Sequence, residues 1–229
     1  MKAETFLAAV KGKLIVSCQA LPDEPLHGAE MMAKMALAAK IGGAAAIRAN
    51  GPADIGAIKR AVDLPVIGLY KQGSSGVYIT PSFDAAAEIT AAGADVIALD
   101  CTDRPRPDGA PVGELLARIH GELGRPCFAD VSTLDEAKAA ADLGVAMAGP
   151  TLSGYTEGSP AQDGPDFELL AQMIEALPIP VIAEGRIHTP AQARRALDMG
   201  AWAVVVGSAI SRPRTITARF VEALEMEPS

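Results

Sequence analysis

The chain has 229 residues, of which 49% are hydrophobic, and this length is sufficient for one large domain with a substantial core. Acidic residues outnumber basic residues by 28 to 20, so the formal net charge is −8, and aromatic residues make up only 4% of the chain. This composition argues against nucleic acid as a partner, because nucleic acids are bound by basic surfaces and aromatic stacking platforms.

The sequence shows no feature of membrane insertion or export. No stretch approaches the roughly 20 apolar residues of a membrane span, and no apolar run of a signal peptide follows Met1. Cys18, Cys101 and Cys127 lie far apart within apolar runs, which is typical of small buried side chains in a reducing compartment. We therefore expect a cytoplasmic protein without a membrane partner.

Short apolar runs predict eight β-strands, in chain order Leu14–Cys18, Ala44–Ile47, Val66–Leu69, Val96–Leu99, Cys127–Ala129, Val145–Ala148, Val181–Ala183 and Ala203–Val206. Ala-rich segments separate these runs, and each segment is long enough for a helical crossover between parallel strands and too long for a tight hairpin. The runs are continuously apolar, as is typical of strands that are covered on both faces.

The connections between these runs alternate in a regular way. Helix-ending glycines precede the even-numbered runs and prolines precede the third, fifth and seventh: Gly43, Gly93, Gly144 and Gly200, and Pro65, Pro126 and Pro180. Glycine fits a left-handed helix cap, and proline ends a helix and can open a strand. Four consecutive βαβα units predict the α/β class and a single (β/α)8 TIM barrel spanning residues 1–229, with an open doubly wound sheet as the alternative.

Polar residues follow the carboxyl ends of all eight runs, where a TIM barrel carries its active site. Lys71 follows the third run and Glu184 the seventh, and each continues the alternation of the inward-facing positions of its strand. A lysine acts as a base only when part of its population is neutral, and burial or nearby arginines lower its pKa. We therefore predict that Lys71 is catalytic. The alternative is a purely structural salt bridge to Glu184 or Asp130.

The loops after the seventh and eighth runs predict a phosphate-binding corner. Gly185, Gly207 and Ser208 allow backbone N–H groups to approach an anion, and a short helix there adds the dipole of its N-terminus. Arg186 and Arg212 can donate charge-assisted hydrogen bonds to the same anion. The alternative is that the glycines only form tight turns.

Three further polar residues near these strand ends are open to more than one interpretation. Gln19 and Arg48 are predicted to position a substrate, with hydrogen bonding to loop backbone as the alternative, because neither is easily buried without a partner. Asp100 fits a ligand contact and a loop cap equally well. No functional role is predicted for three other acids, Glu4, Glu24 and Glu30.

The sequence argues against a metal or other cofactor. The three histidines, His27, His120 and His188, lack the spacing of a metal site, and the Thr189-Pro190 pair after His188 is typical of a helix start, which favours a structural role for that histidine. Metal-dependent barrel epimerases of pentose phosphates bring paired histidines to the strand ends, whereas Arg48 and Lys71 stand there in this chain. Two fixed cations repel a divalent metal ion.

Six strand-end segments carry the most specific pattern of the chain: Ser17–Ala20, Ile47–Asn50, Ala129–Thr133, Thr151–Thr156, Ile182–Ile187 and Val206–Ile210. In this order they resemble the N-acylglucosamine-6-phosphate 2-epimerases, also called N-acetylmannosamine-6-phosphate 2-epimerases, and the resemblance covers essentially the whole barrel. The Leu-Ser-Gly-Tyr-Thr and Ala-Glu-Gly-Arg-Ile runs are its most specific parts. The resemblance implies a cofactor-free, commonly dimeric, cytosolic TIM barrel of bacterial sialic acid and amino-sugar catabolism.

The resemblance also implies roles for individual residues. Lys71 would remove the proton at C2 of an amino-sugar phosphate, and Glu184 and Asp130 would hold or assist the lysine. Four residues would contact the open-chain sugar: Gln19, Arg48, Thr151 and Tyr155. The phosphate would be held by Arg212 together with the loops that carry Gly185, Arg186, Gly207 and Ser208.

The sequence departs from the family pattern at two places. Tyr70 precedes the lysine where a smaller aliphatic residue is usual, and Ala148-Gly149-Pro150 stands in place of a Gly-Thr-Thr-like stretch. Three other functions remain open: a Schiff-base aldolase that uses Lys71 as nucleophile, a sugar-phosphate isomerase or lyase of different specificity, and a non-catalytic sugar-phosphate-binding protein.

Overall fold

The computed structural model describes residues 1–73 and 76–225, and within these ranges it contains eight strands and ten α-helices. The strands are β1 Leu14–Cys18, β2 Ala46–Asn50, β3 Val66–Leu69, β4 Val96–Asp100, β5 Cys127–Asp130, β6 Met147–Gly149, β7 Ile182–Ala183 and β8 Ala203–Val206. The helices are α1 Ala3–Val10, α2 Ala29–Ile41, α3 Pro52–Ala61, α4 Phe83–Ala91, α5 Val112–Arg118, α6 Leu134–Asp142, α7 Phe167–Ala176, α8 Pro190–Asp198, α9 Ser208–Ser211 and α10 Pro213–Glu225.

The strands form a parallel barrel, which confirms the predicted (β/α)8 fold and excludes the open doubly wound sheet. The spatial order is β6-β5-β4-β3-β2-β1-β8-β7, and a parallel bridge between Ala148 and Val181 joins the two ends. The second and sixth strands begin two residues later than predicted. At β2, the N–H of Ala44 is still bonded to the carbonyl of Ala39, so this residue belongs to the end of α2 rather than to the sheet.

The connections follow the predicted capping chemistry. Gly43 and Gly200 have φ values of +95° and +105°, a region that residues with a Cβ seldom adopt. At the other end of the helices, Thr189 caps α8, with its side chain accepting the N–H of Gln192 and the Gln192 side chain returning to the backbone of the cap. This capping box confirms the predicted helix start after His188.

The core has two layers that the barrel wall separates. Outward-facing residues such as Val16 and Ile47 pack against the helices, and inward-facing residues such as Ile67 and Phe128 fill the barrel. Helix α1 closes the amino-terminal end of the barrel with Phe6, which is completely buried among the inward-facing residues. Burial of a phenylalanine of this kind stabilises a fold by about 1.5–3 kcal/mol. The opposite, carboxyl end therefore remains the open one.

The connection after β3 shapes that open end. The chain turns back on itself, so that Lys71 and Ile79 form an antiparallel bridge and the N–H of Gln72 donates to the carbonyl of Tyr78 at 2.9 Å. The return arm is fixed to the barrel by Thr80, whose hydroxyl accepts the N–H of Tyr70 and donates to the carbonyl of Ala98. This hairpin brings Tyr78 to the mouth of the barrel. No helix in the part of the chain that the structure describes is both long and apolar enough to cross a membrane.

Candidate active site

A large pocket lies at the carboxyl ends of the strands. Its volume is about 460 Å3, within the range of small-molecule sites. All but one of the predicted site residues line it: Gln19, Arg48, Lys71, Thr151, Tyr155, Glu184, Gly185, Arg186, Gly207, Ser208 and Arg212. The exception is Asp130, which is completely buried and does not line the pocket. Residues predicted from separate strand ends are thus brought together in one cavity.

A buried ion-pair cluster forms the floor of this site. Arg48 in the middle of β2 contacts Asp130 of β5 through Nη2 and Oδ2 at 2.6 Å, and Glu184 after β7 through Nη1 and Oε2 at 2.9 Å. The side chains of Arg48 and Asp130 are 1% and 0% exposed. Charges buried this deeply need partners, and Arg48 is the cation that lies within ion-pair distance of both carboxylates. The predicted alternative of hydrogen bonding to loop backbone is therefore not the arrangement of Arg48.

Lys71 lies in the pocket beside this cluster without joining it. Within residues 1–73 and 76–225, no carboxylate lies within 4.0 Å of its ammonium group, because Arg48 occupies the carboxylates that the lysine was expected to pair with. Its backbone is fixed from the neighbouring strand, since its N–H donates to Asn50 Oδ1 at 2.8 Å. Burial lowers the pKa of Lys71, and the positive charge of Arg48 lowers it further. The structural salt-bridge alternative for Lys71 is thus wrong for the residues described.

Glu184 is the second titratable group with an unusual environment. Burial raises the pKa of Glu184 to about 7, although the nearby Arg48 acts in the opposite direction. A carboxyl group with this pKa is present in both protonation states near neutral pH. The site therefore contains a lysine shifted toward its neutral form and a carboxyl group shifted toward its protonated form, which is typical of acid–base catalysis.

The loops after β7 and β8 form the predicted corner of the pocket. Gly185 has φ +110°, and a Cβ at Gly207 would lie 3.3 Å from the Cβ of Ser17, so both positions favour glycine. Ser208 begins the short helix α9, and Ser211 at its end is fixed by donation from its hydroxyl to the carbonyl of Ser17 at 2.7 Å. The geometry agrees with backbone that can approach an anion closely.

Both arginines of this corner already have protein partners. Arg186 has φ +51° and donates to two carbonyls of the long loop after β6, from Nε to Gly164 at 2.8 Å and from Nη1 to Ser153 at 2.6 Å. Arg212 forms an ion pair with Glu24, with Nη2 and Oε2 at 2.7 Å. Arg186 therefore holds the loop after β6, while it also lines the pocket.

The remaining predicted contacts lie around the rim. Gln19 donates from Nε2 to Ser17 Oγ at 2.9 Å. Thr151 is the second residue of the loop after β6. Tyr155 in the same loop is 58% exposed, with its ring centroid 5.0 Å from the guanidinium carbon of Arg186. The loop thus presents polar groups to the pocket despite the Ala-Gly-Pro sequence that precedes it.

The structure shows local contacts for Asp100, which was left open between two interpretations, and for His188, for which a structural role was favoured. Asp100 caps the loop after β4, because its carboxylate accepts the N–H and the hydroxyl of Thr102 and forms an ion pair with Arg104 at 2.6 Å. Asp100 does not line the pocket. His188 lies beside Arg219, with Nε2 3.4 Å from its guanidinium, and is not among the pocket residues.

Three residues at the site were not predicted from the sequence. Asn50 could have been found, since it is the last residue of β2 and lies two positions after Arg48, on the same face of the strand. Tyr78 reaches the pocket only through the hairpin after β3, which no periodic pattern indicates. Glu24 had no predicted role, yet its side chain is only 4% exposed and contacts Arg212.

The described part of the chain contains no group of three or more His, Cys, Asp and Glu side chains arranged to hold a metal ion. The pocket instead presents titratable side chains and hydrogen-bond donors, and its volume fits a sugar. A (β/α)8 barrel with such a pocket at the carboxyl ends of its strands belongs to the TIM-barrel enzymes.

Comparisons with known proteins identify the family. The family described as "Putative N-acetylmannosamine-6-phosphate epimerase" matches residues 32–226. The chain therefore belongs to this family of isomerases. Among curated relatives, proteins described as "Putative N-acetylmannosamine-6-phosphate 2-epimerase" from Cutibacterium acnes and Caldanaerobacter subterraneus are 48% and 52% identical, over 96% and 94% of this chain and 97% and 92% of theirs.

Solved structures agree with this assignment. The N-acetylmannosamine-6-phosphate 2-epimerase from Clostridium perfringens superposes with a TM-score of 0.92 at 49% identity, covering 95% of each chain. A thiamine phosphate pyrophosphorylase from Pyrococcus furiosus superposes with a TM-score of 0.59 at 20% identity, over 93% of this chain and 97% of its own, which shows a shared fold only.

Proposed function

We propose that this enzyme interconverts N-acetylmannosamine 6-phosphate and N-acetylglucosamine 6-phosphate without a metal or other cofactor, by removing and returning the proton at C2. One observation carries the proposal: Lys71 lies in a buried, sugar-sized pocket with its ammonium group free of any described carboxylate. The family and the names of its relatives agree with this substrate pair.

Lys71 acts as the base in this proposal. In the open-chain sugar the C2–H bond is acidified by the C1 aldehyde, so the neutral amine of Lys71 takes the proton. The electron pair of the C2–H bond then forms a C1–C2 double bond, and the π pair of the aldehyde moves onto O1. The lowered pKa of Lys71 supports this role, because it increases the neutral fraction near pH 7. A positioned base of this kind contributes about 10²–10⁴-fold in rate.

Return of the proton to the opposite face completes the epimerisation. Glu184 has the properties that this step requires, since its pKa of about 7 leaves part of its population protonated. Arg48, held by Asp130, supplies positive charge for the oxygen on which negative charge develops. Asp130 thus assists by fixing Arg48 rather than by touching the substrate.

The remaining pocket residues hold the substrate. Three side chains are proposed to contact the sugar together with Arg48: Gln19, Thr151 and Tyr155. The phosphate is proposed to bind at the corner formed by Gly185, Arg186, Gly207, Ser208 and Arg212, where glycine backbone and arginine donors meet. Binding of the phosphate orients C2 relative to Lys71.

Proton NMR in D2O tests the proposal. Purified protein with N-acetylmannosamine 6-phosphate and no added metal should form N-acetylglucosamine 6-phosphate with deuterium at C2. Lys71→Met should lower the rate of conversion by about 10²–10⁴-fold, whereas Lys40→Met, at a lysine outside the pocket, should not lower it. Absence of both conversion and exchange from folded protein would refute the epimerase proposal. A borohydride-trapped adduct on Lys71 would instead indicate a Schiff-base aldolase, and binding without turnover would indicate a sugar-phosphate-binding protein.

We further propose that the enzyme acts in the cytoplasm, in sialic acid and amino-sugar catabolism, and as a homodimer. The exposed apolar residues Phe220, Val221 and Leu224 of α10 support association, since a contiguous apolar strip on a helix is typical of an interface. Light scattering coupled to size-exclusion chromatography should give twice the mass of the 23.5 kDa chain. A monomeric mass at micromolar concentration would contradict the dimer.

A further inference from the structure

Glu24 is a buried acid that the proposed mechanism does not use. It lies in the loop between β1 and α2, far from the catalytic cluster in sequence, and its side chain is 4% exposed. Its carboxylate accepts the N–H of Leu21 at 2.7 Å, which closes a turn of the loop. A carboxylate is seldom buried at a loop unless it is paired, so its partner indicates its role.

The partner of Glu24 is Arg212, at the opposite end of the chain. Arg212 Nε lies 2.8 and 2.9 Å from the two carboxylate oxygens, and Nη2 lies 2.7 Å from Oε2. This arrangement fixes the plane of the guanidinium group, as in other two-point arginine–carboxylate pairs. Arg212 lowers the pKa of Glu24, so the carboxylate stays charged at neutral pH.

The pair leaves part of Arg212 available to a ligand. A guanidinium group has five N–H donors, and Glu24 takes those of Nε and one edge of Nη2. Arg212 is 27% exposed and lines the pocket next to Gly207 and Ser208. The donors of Nη1 and the outer edge of Nη2 are therefore held in a fixed direction beside the loop proposed to bind phosphate.

We propose that Glu24 is a positioning residue that orients Arg212 toward the substrate phosphate, and that it thereby sets the preference of the enzyme for phosphorylated over unphosphorylated sugar. This inference rests on the proposed phosphate corner. The carboxylate of Glu24 also accepts the N–H of Leu21, which lines the pocket. Glu24 therefore fixes both Arg212 and this part of the pocket wall.

The adjacent pair of Asp23 and Arg214 provides a matched control. Asp23 precedes Glu24 in the same loop and contacts Arg214 at 3.1 Å, but both side chains are largely exposed, at 69% and 49%. Arg214 also lies 3.7 Å from Glu24. Asp23→Asn and Glu24→Gln each remove one negative charge, at adjacent residues of the same loop. An effect of the net charge of the loop would therefore appear in both variants.

The test compares steady-state kinetics on N-acetylmannosamine 6-phosphate and on unphosphorylated N-acetylmannosamine. Glu24→Gln should raise KM for the phosphorylated sugar about 10-fold, as expected for loss of one charge-assisted hydrogen bond, and leave kcat within about 2-fold. It should not change kcat/KM for the unphosphorylated sugar. Inhibition by inorganic phosphate should weaken about 10-fold in parallel, and Asp23→Asn should change none of these values.

Several outcomes would overturn the inference. An equal loss on both sugars would show that Glu24 only stabilises the loop, and tighter binding of inorganic phosphate by Glu24→Gln would show that Glu24 competes for Arg212. If Glu24→Gln does not fold, Glu24→Asp, which retains the charge one methylene further back, must show the same phosphate-selective loss. If the wild-type protein does not epimerise either sugar, calorimetric binding of inorganic phosphate by the same variants still decides the role of Glu24 separately from the proposed function.

Discussion

Replacement of Arg48 by methionine should destabilise the protein strongly and in a pH-dependent manner. Arg48 is the cation that lies between Asp130 and Glu184, at 2.6 and 2.9 Å, and its side chain is 1% exposed. Methionine preserves most of the length of the side chain and removes its charge. Two buried carboxylates then remain beside each other without a cation, the situation that makes broken buried ion pairs costly.

The expected loss follows from this geometry. Removal of one partner from a buried pair costs about 3–5 kcal/mol, and two orphaned carboxylates place Arg48→Met at the upper end of that range. For a chain of this size the loss corresponds to a fall of about 6–20 °C in the midpoint of thermal unfolding. Arg194→Met makes the same substitution in an exposed pair with Asp198 and should cost about 0–1 kcal/mol.

The sign of the pH dependence is fixed by proton binding. Without Arg48, the pKa of Glu184, already about 7 through burial, rises further in the folded state, while the unfolded value stays near 4.3. The folded variant then binds more protons than the unfolded chain, so its stability falls as pH rises. The deficit relative to wild type should be larger at pH 8.5 than at pH 5.5.

Urea unfolding followed by circular dichroism at these two pH values measures the deficit directly. A loss below about 1 kcal/mol at pH 8.5, against the 3–5 kcal/mol expected for a broken buried pair, would refute the reasoning. A deficit that is the same at both pH values would also refute it, because the two carboxylates would then not be the source of the cost.

Three further predictions concern the same end of the barrel. In Glu184→Gln the free energy of unfolding should increase relative to that of the wild type as pH rises from about 4.3 to about 7. The stability that the wild type gains from this carboxyl group is fully present at low pH and is lost as pH rises through its folded pKa of about 7. Parallel curves of stability against pH, measured by urea unfolding, would contradict this. Lys71→Met should raise the midpoint of thermal unfolding at pH 7, since burial lowers the pKa of Lys71 and its charge is costly in the folded state. The same variant should lose about 10²–10⁴-fold of activity. A lower midpoint in calorimetry would argue against a destabilising ammonium group. Gly149→Ala should lose about 1–3 kcal/mol in urea unfolding, because its Cβ would lie 2.7 Å from the carbonyl oxygen of Ile182, whereas Gly164→Ala, with open space around it, should lose less than about 1 kcal/mol; equal losses would show that crowding at Gly149 is relieved at no cost.

The architecture of the barrel could be predicted from the sequence because its signals are local and repeat. Continuous apolar runs, glycine caps such as Gly43 and Gly200, and the N-cap Thr189 each act within one connection, and the structure confirms them. The inward direction of Lys71 and Glu184 was also predictable, since strand alternation decides it. The strand boundaries were predicted less accurately. Ala44 was predicted to begin the second strand, but its N–H is bonded to the carbonyl of Ala39 at the end of α2.

The partners of the charged residues could not be predicted in the same way. Arg48 lies within β2 and Lys71 just after the neighbouring strand β3, and only the curvature of the barrel decides that Arg48 reaches Asp130 and Glu184. Arg186 faces the loop after β6 because its backbone adopts φ +51°. An arginine seldom adopts this conformation, so the sequence does not predict it.

Glu24 illustrates the same limit in a loop. Its partner is 188 positions away along the chain, so no local pattern could have indicated that its carboxylate is buried. Its role became apparent only from the packing of the loop after β1 against the segment after α9.

The closure of the barrel is uneven, and this has a consequence for solvent access. The joint between β6 and β7 consists of one bridge, from Ala148 to Val181, and β7 has only the two residues Ile182–Ala183. Regions held by few backbone hydrogen bonds open by local fluctuations long before the whole domain unfolds. Glu184 directly follows β7, so we expect transient parting of these two strands to expose the barrel wall beside this carboxyl group to bulk water.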